Sequence, residues 1–317
     1  MEFSEVEQAR TYLREHLRPT RLIEAAGLSR ETGARVFLKL ESENPTGSFK
    51  IRGALVAMAR RAQQGGLAGA VTSSTGNHGA AVAYAAQQMG VPATVFLPQR
   101  PNPVKRDLIA RLGAEVVEAG RDYDAARENA AEFAERRGWY FVEDGRDSNL
   151  TPGPATISCE ILEALPETDL IYVPVGDTTL IRGVGFAAKH LKPSVRLVGV
   201  QAERAPAYYR SWQQGRAVST DSCDTLADGL AVRTTTEDNV AELRRLADEM
   251  TLVSEEEMLR AIRRLLLEEH IVAEPAGAAT TAAFLKSGYA HAGKTVVLLV
   301  TGANLTPEIL RHAVEQS

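Results

Sequence analysis

The chain has 317 residues, 44% of them hydrophobic and 24% charged, with a formal net charge of −5. That is enough to bury a sizeable core, as two domains or one large α/β unit with a subdomain. The acidic balance, without a basic stripe or tail, excludes a nucleic-acid surface, and no apolar stretch approaches the length of a membrane span. Cys159 and Cys223 stand far apart and fit no metal-ligand spacing. The N-terminus mixes acidic and basic residues amphipathically, so no signal peptide is expected and a soluble, cytoplasmic protein is.

In chain order, a strand is expected at RVFLKLE (35–41), then a helix at FKIRGALVAMARRAQQ (49–64). Next come strand GAVTSS (69–74), helix GAAVAYAAQQMG (79–90), strand ATVFLP (93–98), helix VKRDLIARLG (104–113) and strands AEVVEAG (114–120) and WYFVED (139–144). LIYVPVG (170–176), VRLVGVQ (195–201) and TVVLLVTG (295–302) read as further strands, with helix TLIRGVGFAAKHL (179–191) after the first of them. SEEEMLRAIRRLLLEEH (254–270) opens with serine and, three residues on, glutamate, a capping-box start. Several strands lack polar alternation, as strands covered by helices on both faces do. The pattern predicts an α/β fold with mostly parallel strands. Residues 68–143 are expected to form a smaller domain nested in a larger one made of 1–67 and 144–317.

Ligands of open parallel sheets bind beyond the carboxyl ends of strands, where the next helix offers unpaired N–H groups. Four turns there are rich in small polar residues: ESENPTGSFKIRGA (41–54), SSTGNHG (73–79), PVGDTTLIRG (174–183) and VTGAN (300–304). Each satisfies ordinary turn chemistry by itself. Four together, the first carrying Lys50, point to a ligand site with a reactive amine.

These motifs, with DGLAV (228–232) and VAEPAGA (272–278), resemble the tryptophan-synthase-like, fold type II family of pyridoxal-phosphate enzymes. Within it they are most similar to the threonine/serine dehydratase and serine racemase branch. The resemblance implies two domains, each an open, mostly parallel twisted sheet flanked by helices, and a homodimer. It implies that Lys50 is the catalytic residue, joined to pyridoxal 5'-phosphate as a Schiff base and later moving the Cα proton. Cofactor contacts are implied for Phe49, Lys50, Asn77, Gly176, Asp177, Thr178, Thr179, Leu180, Gly229, Glu274 and Thr301. Substrate contacts are implied for Ser74, Thr75, Gly76, Asn77 and His78, the histidine in a structural role. Thr301 aligns with the residue facing the pyridine nitrogen. A hydroxyl there leaves the ring a weaker electron sink, which favours prompt β-elimination over transamination.

The sequence departs from that branch in several places, among them TPGPATISCE (151–160), which replaces a glycine-and-glutamine-rich run so that Pro154 is expected to reshape the substrate side. A glycine-rich phosphate loop is expected, but Gly176 is followed by Asp177, Thr178 and Thr179. Asp177 either points outward and caps the following helix or helps keep the phosphate monoprotonated. Gln201 and Ala207 stand where a racemase-type divalent-cation site would carry acids, so no metal is expected. The chain ends shortly after VTGAN, so a regulatory domain and feedback by isoleucine are not expected.

The expected activity is dehydration and deamination of L-threonine, L-serine or a bulkier β-hydroxy-α-amino acid to a 2-oxo acid and ammonia. A racemase or β-replacement synthase on the same scaffold is the alternative, and a non-catalytic sensor is the rival of another class.

Overall fold

A computed structural model describes residues 1–74, 76–99, 101, 103–120 and 123–315. Helices α1 (Phe3–His16) and α2 (Ala26–Thr32) bracket strand β1 (Leu22–Glu24). β2 (Arg35–Leu40) leads into α3 (Lys50–Gln63). Strands β3 (Ala70–Ser73), β4 (Ala93–Leu97), β5 (Glu115–Glu118) and β6 (Tyr140–Phe141) alternate with α4 (Asn77–Met89), α5 (Pro103–Arg111) and α6 (Tyr123–Arg137). Then come α7 (Pro152–Ala164), β7 (Leu170–Pro174), α8 (Thr179–Leu191), β8 (Arg196–Ala202), α9 (Ala207–Gln214) and α10 (Glu237–Leu246). β9 (Glu249–Val253), α11 (Glu255–Glu268), α12 (Pro275–Ser287), β10 (Thr295–Val300) and α13 (Pro307–Glu315) complete the order.

Two sheets result. Six strands run β1-β2-β10-β7-β8-β9 and four run β5-β4-β3-β6. Every described pairing is parallel except β1 with β2. β1 and β9 were not expected from sequence. One has only three residues and the other, EMTLV, alternates over only four, too short a run to mark a strand. WYFVED pairs over only Tyr140 and Phe141.

The strands lacking polar alternation are those with two covered faces. In β10, Val296, Leu298 and Val300 pack with Ile262 and Phe284 of α11 and α12, while Val297 and Leu299 pack with Ile161 and Ile181 of α7 and α8. A period of two thus divides one apolar run between two helical layers. On the four-stranded sheet, Ala70 and Val95 pack with α3 and α4, and Val71 and Phe96 with Ala130 and Ala134 of α6. Ser254 and Glu257 form the expected capping box at the start of α11.

The loop before α3 is fixed by a buried ion network. Arg52, 2% exposed, donates from Nε and Nη2 to the two oxygens of Glu41 at 2.8 and 2.9 Å, and Glu41 is wholly buried. The same guanidinium meets Glu160 at 2.6 and 2.9 Å, and Glu160 also pairs with buried Lys39. Planar bidentate recognition of two carboxylates is what a guanidinium does best. Replacing it strands a charge without water. Arg52→Met is therefore expected to lose about 3–5 kcal/mol of stability in denaturant unfolding, and a loss under about 1 would contradict this role.

Candidate active site

Lys50 is the first residue of α3, at the end of the loop that leaves the carboxyl edge of β2. That loop is stitched to the one leaving β10. Ser48 forms an isolated antiparallel bridge with Gly302, and the Phe49 N–H donates to the Thr301 carbonyl at 3.0 Å. Phe49 is half-buried, and Lys50 Nζ stands 5.1 Å from its ring centre, a cation–π contact.

Two carboxylates face the amine. Lys50 Nζ donates directly to Asp144 Oδ2, and Asp177 Oδ2 is 3.6 Å away. Burial works against the Lys50 charge, but the two carboxylates outweigh it and raise the lysine above its usual range. Burial also penalises ionised Asp144, yet Lys50 and neighbouring His78 hold its carboxyl well below the usual value. Asp177 goes the other way. Loss of water and the charge of Asp144 push it up to about 7.

The turn after β7 differs from the expectation of an outward, capping Asp177. The N-cap of α8 is Thr178, and Asp177 turns into the cleft towards Lys50. The Lys50 ammonium attracts the side chain inward, although lost water and Asp144 disfavour its ionised form there. Thr178 has φ +76, the left-handed conformation a glycine adopts freely and a β-branched residue rarely does. The backbone thus keeps a glycine-like path although the side chain has changed. Gly176 is packed so tightly that an added Cβ would lie 2.4 Å from the Gly229 carbonyl. Leu180 is buried in the first turn of α8.

Beyond β3, Ser74 is buried and its Oγ accepts the Gly76 N–H at 3.1 Å, with Gly76 as the N-cap of α4. Thr75 lies outside the described residues. His78 is buried, its Nε2 3.0 Å from the Val142 carbonyl and its Nδ1 3.8 Å from Asp144. Asn77 Nδ2 donates to Glu274 Oε1 at 2.5 Å, and Asn77 Oδ1 accepts from Asn304 at 2.8 Å. Asn304 in turn donates to the Thr46 carbonyl. With an acceptor at each end, this chain orients the Asn77 amide and leaves its second N–H free. Thr301 is buried, its hydroxyl 3.5 Å from the Ala276 carbonyl, at the limit of hydrogen-bond range.

Sequence reasoning missed two residues here. Asp144 follows the carboxyl end of β6, so the strand-end rule applied to the other turns would have found it. In sequence Lys105 of α5 is only part of the helix VKRDLIARLG, yet it is 3% exposed, pairs with Asp228 and lies 3.5 Å from Glu274. Burial raises the Glu274 carboxyl, with Lys105 opposing and Asp228 reinforcing that shift.

Fold and site together define a parallel α/β protein whose strand ends gather a buried amine, an amide with one free N–H and a helix terminus suited to an anion. The chain belongs to the pyridoxal-phosphate dependent enzyme family, whose model matches residues 13–302. It is 36% identical over 312 residues to the L-threonine ammonia-lyase of Thermotoga maritima, covering 98% of this chain and 78% of that protein. Threonine deaminase isoform 2 of Solanum lycopersicum superposes with a TM-score of 0.93 at 28% identity, covering 99% of this chain and 87% of that one. Maize serine racemase does so at 0.92 and 26%, covering 98% and 95%.

The residues present fit the cofactor. The first turn of α8 has N–H groups without helical partners, the hydroxyl of Thr178 is buried without a hydrogen bond, and the Gly176 cradle has no room for a side chain. Among the described residues, no group of three His, Cys, Asp or Glu could hold a metal.

The raised Asp177 makes a stability prediction. An acid with a raised folded value stabilises fully below its unfolded value, near 4, and loses that contribution as pH rises through about 7. Asp177→Asn should therefore stabilise the cofactor-free protein above about pH 7 by about 1–2 kcal/mol, discounted because the side chain keeps 29% exposure. Below about pH 4 the gain should vanish. Denaturant unfolding at both pH values checks this, and a gain independent of pH would contradict it.

Proposed function

We propose that this chain is a lyase that removes water from a β-hydroxy-α-amino acid such as L-threonine or L-serine and releases a 2-oxo acid and ammonia. The observation that carries the reading is the Lys50 amine, buried where four strand ends converge and set against two carboxylates. Likeness to an L-threonine ammonia-lyase over 98% of the chain supports the same reading.

Lys50 would bind the cofactor's carbonyl, with Phe49 beside it and the free N–H of Asn77 for its phenolic oxygen. The turn 176–180 would hold the phosphate, Thr301 the ring nitrogen, and Gly229 and Glu274 would complete the wall. Ser74, Thr75, Gly76, Asn77 and His78, at the N-terminus of α4, would receive the substrate carboxylate. When bound, pyridoxal phosphate supplies an electron sink that acidifies the Cα–H of an attached amino acid. Neutral Lys50 accepts that proton at Nζ, and the ammonium formed is stabilised by Asp144 and Asp177, which already face it.

Three further expectations remain proposals. Residues 68–143 form the small, substrate-side domain, and 1–67 with 144–317 the cofactor-binding one. The protein works as a homodimer. It works in the cytoplasm.

The test is release of 2-oxo acid by the loaded protein from a panel of L- and D-β-hydroxy amino acids. Activity on at least one L-member, reduced at least about 10²-fold in Lys50→Ala, is expected. Formation of D-amino acid without oxo acid would favour racemisation, and silence across the panel would overturn the reading.

A further inference from the structure

Elimination of a hydroxyl needs a proton for the departing oxygen, and the structure contains a proton source beside Lys50. Asp177 is not a casual loop residue, because the opposing loop is shaped around it. Gly145 has φ +77, and a Cβ there would lie 2.8 Å from the Asp177 Cβ. Thr179 Oγ1 accepts the Gly145 N–H at 3.2 Å and stands 3.5 Å from Asp144 Oδ1, tying the two loops together. Asp144 and Asp177 both turn an oxygen to the single ammonium of Lys50. Two carboxyls crowded at one cation do not both ionise readily, so the pair keeps a proton.

We propose that Asp177, paired with Asp144, is a catalytic acid that protonates the departing β-hydroxyl of the substrate. The inference rests on the reading given under Proposed function. The step balances. Lys50 Nζ takes the Cα proton, the electron pair left on Cα forms the Cα–Cβ double bond, and the Cβ–O bond breaks with its pair on oxygen. Asp177 gives that oxygen its proton, and water leaves. The carboxylate so formed faces the new Lys50 ammonium at 3.6 Å in the resting arrangement, so the Cα proton returns to the pair and resets it.

The surroundings of the two carboxyls agree with these roles. Asp177 is raised to about 7, and Asp144 is held low. The charged and titratable groups facing the pair are Lys50 of α3, His78 of α4 and Tyr208 of α9. An acid near neutrality is the efficient donor at neutral pH.

The experiment compares L-serine and L-threonine with β-chloro-L-alanine, whose chloride departs without a proton. In the loaded Asp177→Asn protein, kcat on the hydroxy substrates should fall about 10²-fold or more, and on the chloro substrate far less. In the wild type, kcat on the hydroxy substrates should decline as pH rises through about 7, with no such limb for the chloro substrate. Equal losses on both substrates, or none, would overturn the inference and return the proton to another donor. Infrared titration of the cofactor-free protein supplies a readout independent of turnover. A protonated carboxyl that ionises near pH 7 and is missing from Asp177→Asn is expected, and its absence from the wild type would also overturn the inference. A wild type that acts on the chloro substrate and on no hydroxy amino acid would sink the parent reading, and this one with it.

Discussion

The site depends on keeping the amine of Lys50 in a cleft with little water. Removing an ammonium from water costs several kcal/mol, and only nearby counter-charge offsets that. Asp144 and Asp177 supply it, one from the loop after β6 and one from the turn after β7. The two sheets are therefore joined at Lys50 by electrostatics as well as by packing. The carboxylates also differ from each other, because the one in direct contact with the lysine is held low and the other is driven up. Like charges that cannot both ionise beside a single cation are pushed apart in this way.

A second buried lysine repeats the arrangement. Lys105, on the helix after β4, reaches Asp228 and Glu274 on segments that follow the six-stranded sheet. Glu274 orients Asn77, and Asn77 is oriented from its other side by Asn304. The amide that would meet the cofactor's phenolic oxygen is thus set by residues from three separate turns. Its position depends on how the two sheets stand to one another.

Much of this was legible in the sequence because strand ends and small polar turns are local signals. Lys50 announced itself by the run from Pro45 to Phe49 before a helical pattern, and the turns holding Asn77 and Thr301 by their places after apolar strands, while the roles of those two residues came from the family resemblance. The capping box of α11 needed only four adjacent residues. What escaped notice was set by tertiary pairing. Lys105 looks like any helical lysine until its partner, 123 residues away, is brought against it. Asp144 hid behind a strand that pairs over two residues, and Asp144-Gly145 reads as an ordinary turn. Of the two readings open for Asp177, the outward cap rested on the residue types that helix starts favour, and the fold instead turns the side chain inward beside Lys50. Thr178 preserves a backbone path normally left to glycine, which no residue-type pattern would disclose.

Two lysines stand in this cleft, and the proposed chemistry needs the cofactor on Lys50. Borohydride reduction of the pyridoxal-phosphate-loaded protein, followed by peptide mapping, tests that directly. A single phosphopyridoxyl group on the Lys50 side chain is expected. A group found on Lys105 instead, or none fixed to either lysine, would contradict it.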